Sequence, residues 1–332
     1  MVKGKMRKPL TVLGIIVMAL VMCSNEAFPW GWATHAYVNE QLYTRVSGKK
    51  GVFLENEIYG GIGPDFVNDL FQSPLERGYL AAQTHNDPLG VWHAAKSIPA
   101  KALARGFVTH SETMAGSEFG ADSTAHTTGL TTAGGEAYII AKAETLAGIL
   151  GPFLAERGLP LPGDVVVDIS HEIVESALDI ALTQYVDPSI AGKLIDGAIR
   201  RSGVFPKLLT KAYGEGFSEA FDLTEGEAAS FIRKAERQFR KSVVYYGHAL
   251  TRDLETAVEL LSEQKADVAE NYLKLIAPEL AVERAALVDL AKGAFWISLT
   301  DETIIDIPEF LGEIGATIDF VEGNLVAEGI DY

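Results

Sequence analysis

The stretch "DVVVDISHEIVESALDIALTQ", residues 164–184, can be read two ways, and the choice sets the fold. Its opening "VVVDI" is β-branched and resembles a strand. Over the full stretch, Val166, Ile169, Ile173, Ala177 and Ile180 advance by three or four residues, the step of one face of a helix. The helical period covers more residues than the strand-like opening. Further along, an Asp/Thr cap and acidic first turn at Asp222–Glu227 precede Phe231, Ala235, Phe239 and Val243, which descend one face. Period-2 alternation of convincing length is missing, as are repeats, heptads and low-complexity linkers. The expectation is an all-α, multi-helix bundle in which residues 28–332 form a single helical domain. Its core spans about 30–185, with a C-terminal helical extension over about 186–332.

The first 27 residues have the layout of a signal peptide. Lys3, Lys5, Arg7 and Lys8 precede the apolar run "LTVLGIIVMALVM" and the short polar stretch "CSNEA". Cleavage after Ala27 gives a secreted or periplasmic product; cleavage before Cys23 gives a lipid-anchored one in the same compartment. Cys23 is the only cysteine, so no internal disulfide forms, and the core or bound metal must hold the fold. No later segment is apolar for 18 residues, so a soluble product is expected. The whole chain carries a net charge of −17. Removing the leader takes away four of 28 Lys/Arg and one of 45 Asp/Glu, leaving 24 against 44, or −20. Such a surface repels nucleic-acid backbones, although cations bound in a cleft invert the local field.

Seven histidines are available, and their neighbours single some of them out. In "HEIVE", His171 and Glu175 are four apart on a helix, so both leave one face about 6 Å apart and can grip one ion. His171 also lies off the apolar stripe of its helix. Asp122 and His126 in "ADSTAH" repeat the four-residue step, which suits a metal or a salt-linked pair equally well. Asp65 in "GGIGPD" either caps the helix beginning at Phe66 or is aimed inward by its Gly/Pro turn. His85 lies in the turn-rich "THNDPLG", and loops of this kind often carry function.

Taken in order, "WGWATH" (30–35), "GGIGPD", "THNDP", "GFVTH", "ADSTAH" and "HEIVE" resemble the zinc-dependent phospholipase C family of bacteria. That family is similar in fold to the fungal zinc nucleases that cut single strands. The resemblance covers residues 30 to about 180 and implies a helical enzyme with two to three clustered zinc ions. By resemblance, Asp65, His85, His110 and Asp122 look like ligands of one zinc, with Asp122 bridging to a neighbouring ion. His126, His171 and Glu175 look like ligands of a second. Trp30, through its backbone amine and carbonyl, joins His35 and Asp122 in the shell of a third. Asp65 is the candidate base for the attacking water. His93 and His248 match nothing in the pattern.

Three features depart from it. His110 and Asp122 are twelve residues apart, about 18 Å on a straight helix, so either "SETMAGSEFG" loops out or Glu118 takes the vacated ligand position. Pro29 precedes Trp30, a poor site for signal peptidase, which puts the free amine of Trp30 in question. Between His126 and His171 runs a 44-residue excursion whose apolar middle, about Glu136–Glu156, reads as a core helix or as one that touches lipid. The leading expectation is hydrolysis of a phosphodiester in a phospholipid head group, with transient contact at a membrane surface. The alternatives are a single-strand nuclease or 3′-nucleotidase, with Trp32, Phe66 or Trp92 stacking on bases, and a non-catalytic zinc-binding exported protein. Nucleic acid is disfavoured by the charge.

Overall fold

Residues 164–184 are helical. In the computed structural model, which describes residues 30–45, 53–156, 161–276 and 283–330, they belong to a helix that runs Gly163–Ala181 and ends in a π-turn over Leu182–Val186. Val166, Ile173, Ala177 and Ile180 are buried along it, so tertiary packing of the apolar stripe overrides the strand propensity of the opening valines. The expected leader over residues 1–27, with its expected cleavage site and Cys23, lies outside the described residues.

Helices dominate the described residues. The first six are α1 (Trp32–Arg45), α2 (Leu54–Gly61), α3 (Pro74–Asn86), α4 (Leu89–Ala94), α5 (Ile98–His110) and α6 (Ala121–His126). Then come α7 (Tyr138–Glu156), α8 (Gly163–Ala181), α9 (Ile190–Arg200), α10 (Phe205–Ala220) and α11 (Glu225–Leu250). The last three are α12 (Leu254–Ile276), α13 (Arg284–Thr300) and α14 (Ile307–Ala327). A 3-10 turn, Gly63–Val67, follows α2. The cap anticipated before α11 is a full capping box, with Thr224 and Glu227 satisfying each other's backbone N–H groups.

One apolar core runs from Trp30 to Ile330 and draws residues from both the expected core and the expected extension. α2 crosses α5 at backbone contact. A Cβ on Gly60 would lie 2.1 Å from the Leu103 carbonyl, and one on Gly106 would lie 2.1 Å from the Glu57 carbonyl. α9 and α10 pack against these elements, and α11 lies along the 3-10 turn. α7 has the length and hydropathy of a membrane span, yet Tyr138, Ile139, Ala143, Leu146, Leu150 and Leu154 turn one face into the core.

The segment between His110 and Asp122 loops out. α5 ends at His110, and the chain makes a two-stranded hairpin, β1 (Thr113–Met114) with β2 (Ser117–Glu118), before α6 starts. Ala115 and Gly116 at its tip have φ of 52° and 82°, the paired positive values of a type I′ turn. Gly120 closes the loop against Ser111, whose carbonyl oxygen would lie 2.2 Å from a Cβ at that position. Gly120→Ala is therefore expected to destabilise the fold by about 1–3 kcal/mol through overpacking. Urea denaturation measures this as a lowered midpoint at unchanged slope.

Candidate metal centre

The hairpin removes the 18 Å objection, because the end of α5 and the start of α6 meet. His110 Nε2 lies 3.2 Å from Asp122 Oδ2 and 3.6 Å from Asp65 Oδ1. His85 Nε2 lies 3.5 Å from Asp65 Oδ1, 3.7 Å from Asp122 Oδ2 and 3.3 Å from His110 Nε2. All four residues are buried. Glu118 is elsewhere: its carboxylate accepts the Thr128 hydroxyl at 2.8 Å, so it takes no vacated ligand position. His85 occupies the last turn of α3, not a loop as its turn-rich surroundings suggest.

His35, in the first turn of α1, stacks on His110 at 4.1 Å between ring centroids, and its Nε2 lies 3.2 Å from Asp122 Oδ1. Asp122 thus faces His35 with one oxygen and His85 and His110 with the other. His126, although on the same short helix as Asp122, faces another way. Its Nε2 is 2.9 Å from His171 Nε2 and 3.8 Å from Glu175 Oε1, and His171 is 3.0 Å from the same carboxylate oxygen. The Asp122/His126 spacing therefore serves two different groups and not one ion or ion pair.

The described residues contain three groups whose ligand-type atoms lie within 4.8 Å of one another: His35/His110/Asp122, Asp65/His85/His110 and His126/His171/Glu175. Among the described residues, His93 and His248 belong to none of these groups, and both are exposed. Trp30 contributes no side-chain ligand. Its indole is buried, donating to the Ala121 carbonyl at 3.0 Å and stacking on Tyr138 at 5.5 Å between centroids. The cleavage site expected before Trp30 lies outside the described residues.

The imidazoles are held from behind. His110 Nδ1 meets the Gly61 carbonyl at 2.7 Å, and His85 Nδ1 meets the Ala81 carbonyl at 2.9 Å, so both Nε2 atoms point inward. Asp65 is fixed through Oδ2, which accepts the Trp32 indole N–H at 3.0 Å; Oδ1 has no hydrogen-bond donor. The turn reading that aimed Asp65 inward describes its position better than the helix-cap reading.

Burial dominates the electrostatics. It pushes His35 and His110 well below the usual imidazole value and lowers His171 to about 4, against the pull of Glu172. His85 moves the other way, because Asp65 and the Ala81 carbonyl outweigh its desolvation. Burial raises Asp122 well above the carboxylate range, aided by Asp65, and raises Glu175 likewise, aided by Glu172. Both oxygens of Asp122, Oδ1 of Asp65, Oε1 of Glu175 and Nε2 of His35 are buried without a hydrogen-bond partner. Orphaned carboxylate oxygens converging with imidazole nitrogens are what a divalent cation relieves, since it needs ligands without protons and supplies the missing positive charge. The three groups contain no thiolate, and their donors are imidazole nitrogens and carboxylate oxygens.

Sequence reasoning missed the braces of this centre. Asp179 on α8 accepts backbone N–H groups of α1, and Asn39 Nδ2 donates to the His35 carbonyl at 2.9 Å. Glu313 on α14 accepts the Leu130 and Thr131 N–H groups, each at 2.7 Å, and Thr317 pairs with Thr124 of α6 at 2.8 Å. α14 thereby holds α6, which carries Asp122 and His126, and the loop that follows it. Comparisons with protein-family models, curated proteins and solved structures return no match.

Proposed function

We propose that the chain is an exported, zinc-dependent phosphodiester hydrolase of the phospholipase C type, acting on phospholipid head groups with two to three zinc ions. The observation that carries this reading is Asp122. It is a buried carboxylate with both oxygens unsatisfied, and it stands between His35 on one side and His85 and His110 on the other. Asp122 would therefore help to hold cations together with His35 and with His85 and His110. When bound, the ions supply Lewis-acid stabilisation of phosphoryl charge and acidify water for in-line attack. The chain's own contribution is orientation and proton handling. The Gly61 and Ala81 carbonyls fix the imidazoles, and the Trp32 indole pins Asp65 Oδ2 so that Oδ1 faces His85 and His110, at the edge of the centre where Asp65 is the candidate base for water.

Of the three aromatic residues considered for base stacking, one is closed to a nucleotide and one has a ring face occupied. Phe66 is fully buried, and the Lys101 ammonium covers the Trp92 ring at 3.4 Å from its centroid. With the acidic surface, this favours a lipid phosphodiester over a nucleic acid. The test offers phosphatidylcholine vesicles and single-stranded DNA in parallel to the natural chain and to His126→Ala. Phosphatidylcholine is expected to be cleaved, at a rate reduced about a hundredfold or more in the variant. Cleavage of DNA alone would overturn the lipid assignment.

A further inference from the structure

α8 carries three polar residues on one face at four-residue steps: His171, Glu175 and Asp179. All are buried, but the two carboxylates have opposite surroundings. Glu175 has a buried oxygen with no hydrogen bond, whereas Asp179 is saturated. Its Oδ1 accepts the Thr34 N–H at 2.8 Å and the Thr34 hydroxyl at 2.7 Å. Its Oδ2 accepts the Ala33 N–H at 2.7 Å and the Tyr246 hydroxyl at 2.9 Å. No oxygen is left for a cation, so Asp179 has a different role from the carboxylate one turn before it.

That role is visible in what it grips. The first N–H groups of α1 have no intrahelical acceptor, and the helix has no acidic residue in its own first turn. Asp179 supplies the missing acceptor and the negative charge from a helix 145 residues away in sequence. The grip needs a bare backbone beside it: a Cβ on Gly31 would lie 2.5 Å from the carboxylate. The residue after Thr34 is His35, whose ring must stack on His110 and face Asp122. On the other side, the Trp30 indole reaches the Ala121 carbonyl, next to Asp122. "WGWATH" is therefore clamped between α8 and α6.

We propose that Asp179 is a positioning residue: by binding the first turn of α1 it carries His35 to Asp122, tying the helix of the His126/His171/Glu175 group to the group completed by His35. This rests on the metal-centre reading above and concerns chain atoms that touch no cation. In Asp179→Asn, one oxygen is replaced by an NH2 that cannot accept a hydrogen bond, so one side of the grip is lost.

The test counts zinc per chain in natural and Asp179→Asn protein after dialysis against a graded series of weak chelator. The variant is expected to bind one ion at least tenfold more weakly and to count about one zinc fewer at intermediate chelator, with the remainder retained. Hydrolysis should return at zinc concentrations about tenfold above those the natural chain needs. If circular dichroism shows Asp179→Asn unfolded, Thr34→Val and Tyr246→Phe, each removing one hydroxyl donor, replace it, with about a threefold weakening expected. An unchanged count and affinity in a folded variant overturn the role of Asp179. A natural chain that binds no zinc overturns the metal-centre reading instead.

Discussion

Asp122→Ala is expected to abolish hydrolysis and to lower the zinc count by at least one ion per chain from the two or three proposed. Its two oxygens face three imidazoles, with His35 at 3.2 Å on one oxygen and His110 at 3.2 Å and His85 at 3.7 Å on the other. Removing it leaves three imidazoles without their shared anion. The His126/His171/Glu175 group stays complete, while Asp65/His85/His110 keeps its own side chains but loses the carboxylate oxygen that faces both of its imidazoles. Loss of Lewis-acid stabilisation worth several kcal/mol corresponds to a rate drop of about a thousandfold or more. Steady-state hydrolysis, with metal analysis of the same sample, checks both parts. Retention of all ions and of more than about a tenth of the activity would remove Asp122 from the centre.

The second large effect is on stability. Stripping metal with a strong chelator is expected to lower Tm by about 10 °C or more, and zinc, not magnesium, should restore it. Without cations, Asp122 and Glu175 remain buried with unsatisfied oxygens beside desolvated imidazoles. A ligand present at a thousand times its Kd stabilises the folded state by about 4 kcal/mol per site. Each kcal/mol is worth roughly 2 °C in a chain of this size, so two sites give the expected shift. With only Cys23 in the chain, no disulfide cushions the loss. Differential scanning calorimetry with and without chelator measures it, and a shift under about 3 °C contradicts it.

The parts of this centre legible in sequence are those carried by local spacing. His171 and Glu175 declare themselves by a four-residue step off the apolar stripe, and the structure brings them together at 3.0 Å. The same rule fails for Asp122 and His126, because a helix of six residues can send its two ends into different groups. The outward loop between His110 and Asp122 was one of two readings. What settles it is the approach of Gly120 to Ser111, a contact no periodicity reveals. Asp179 and Glu313 were invisible for a deeper reason. Each sits in a helix whose pattern looks ordinary, and its partners are backbone N–H groups 145 and about 180 residues away. The all-α fold was legible because its amphipathic periods are long. The division into core and extension was less so, since α11 and α14 look like independent helices until Tyr246, Glu313 and Thr317 are seen bracing the centre.

The most direct test of the metal-centre reading is elemental analysis joined to zinc X-ray absorption on the purified natural chain. Two or three zinc ions per chain, ligated by nitrogen and oxygen with no sulfur, is the predicted result. One ion or none, or a sulfur shell, would contradict it.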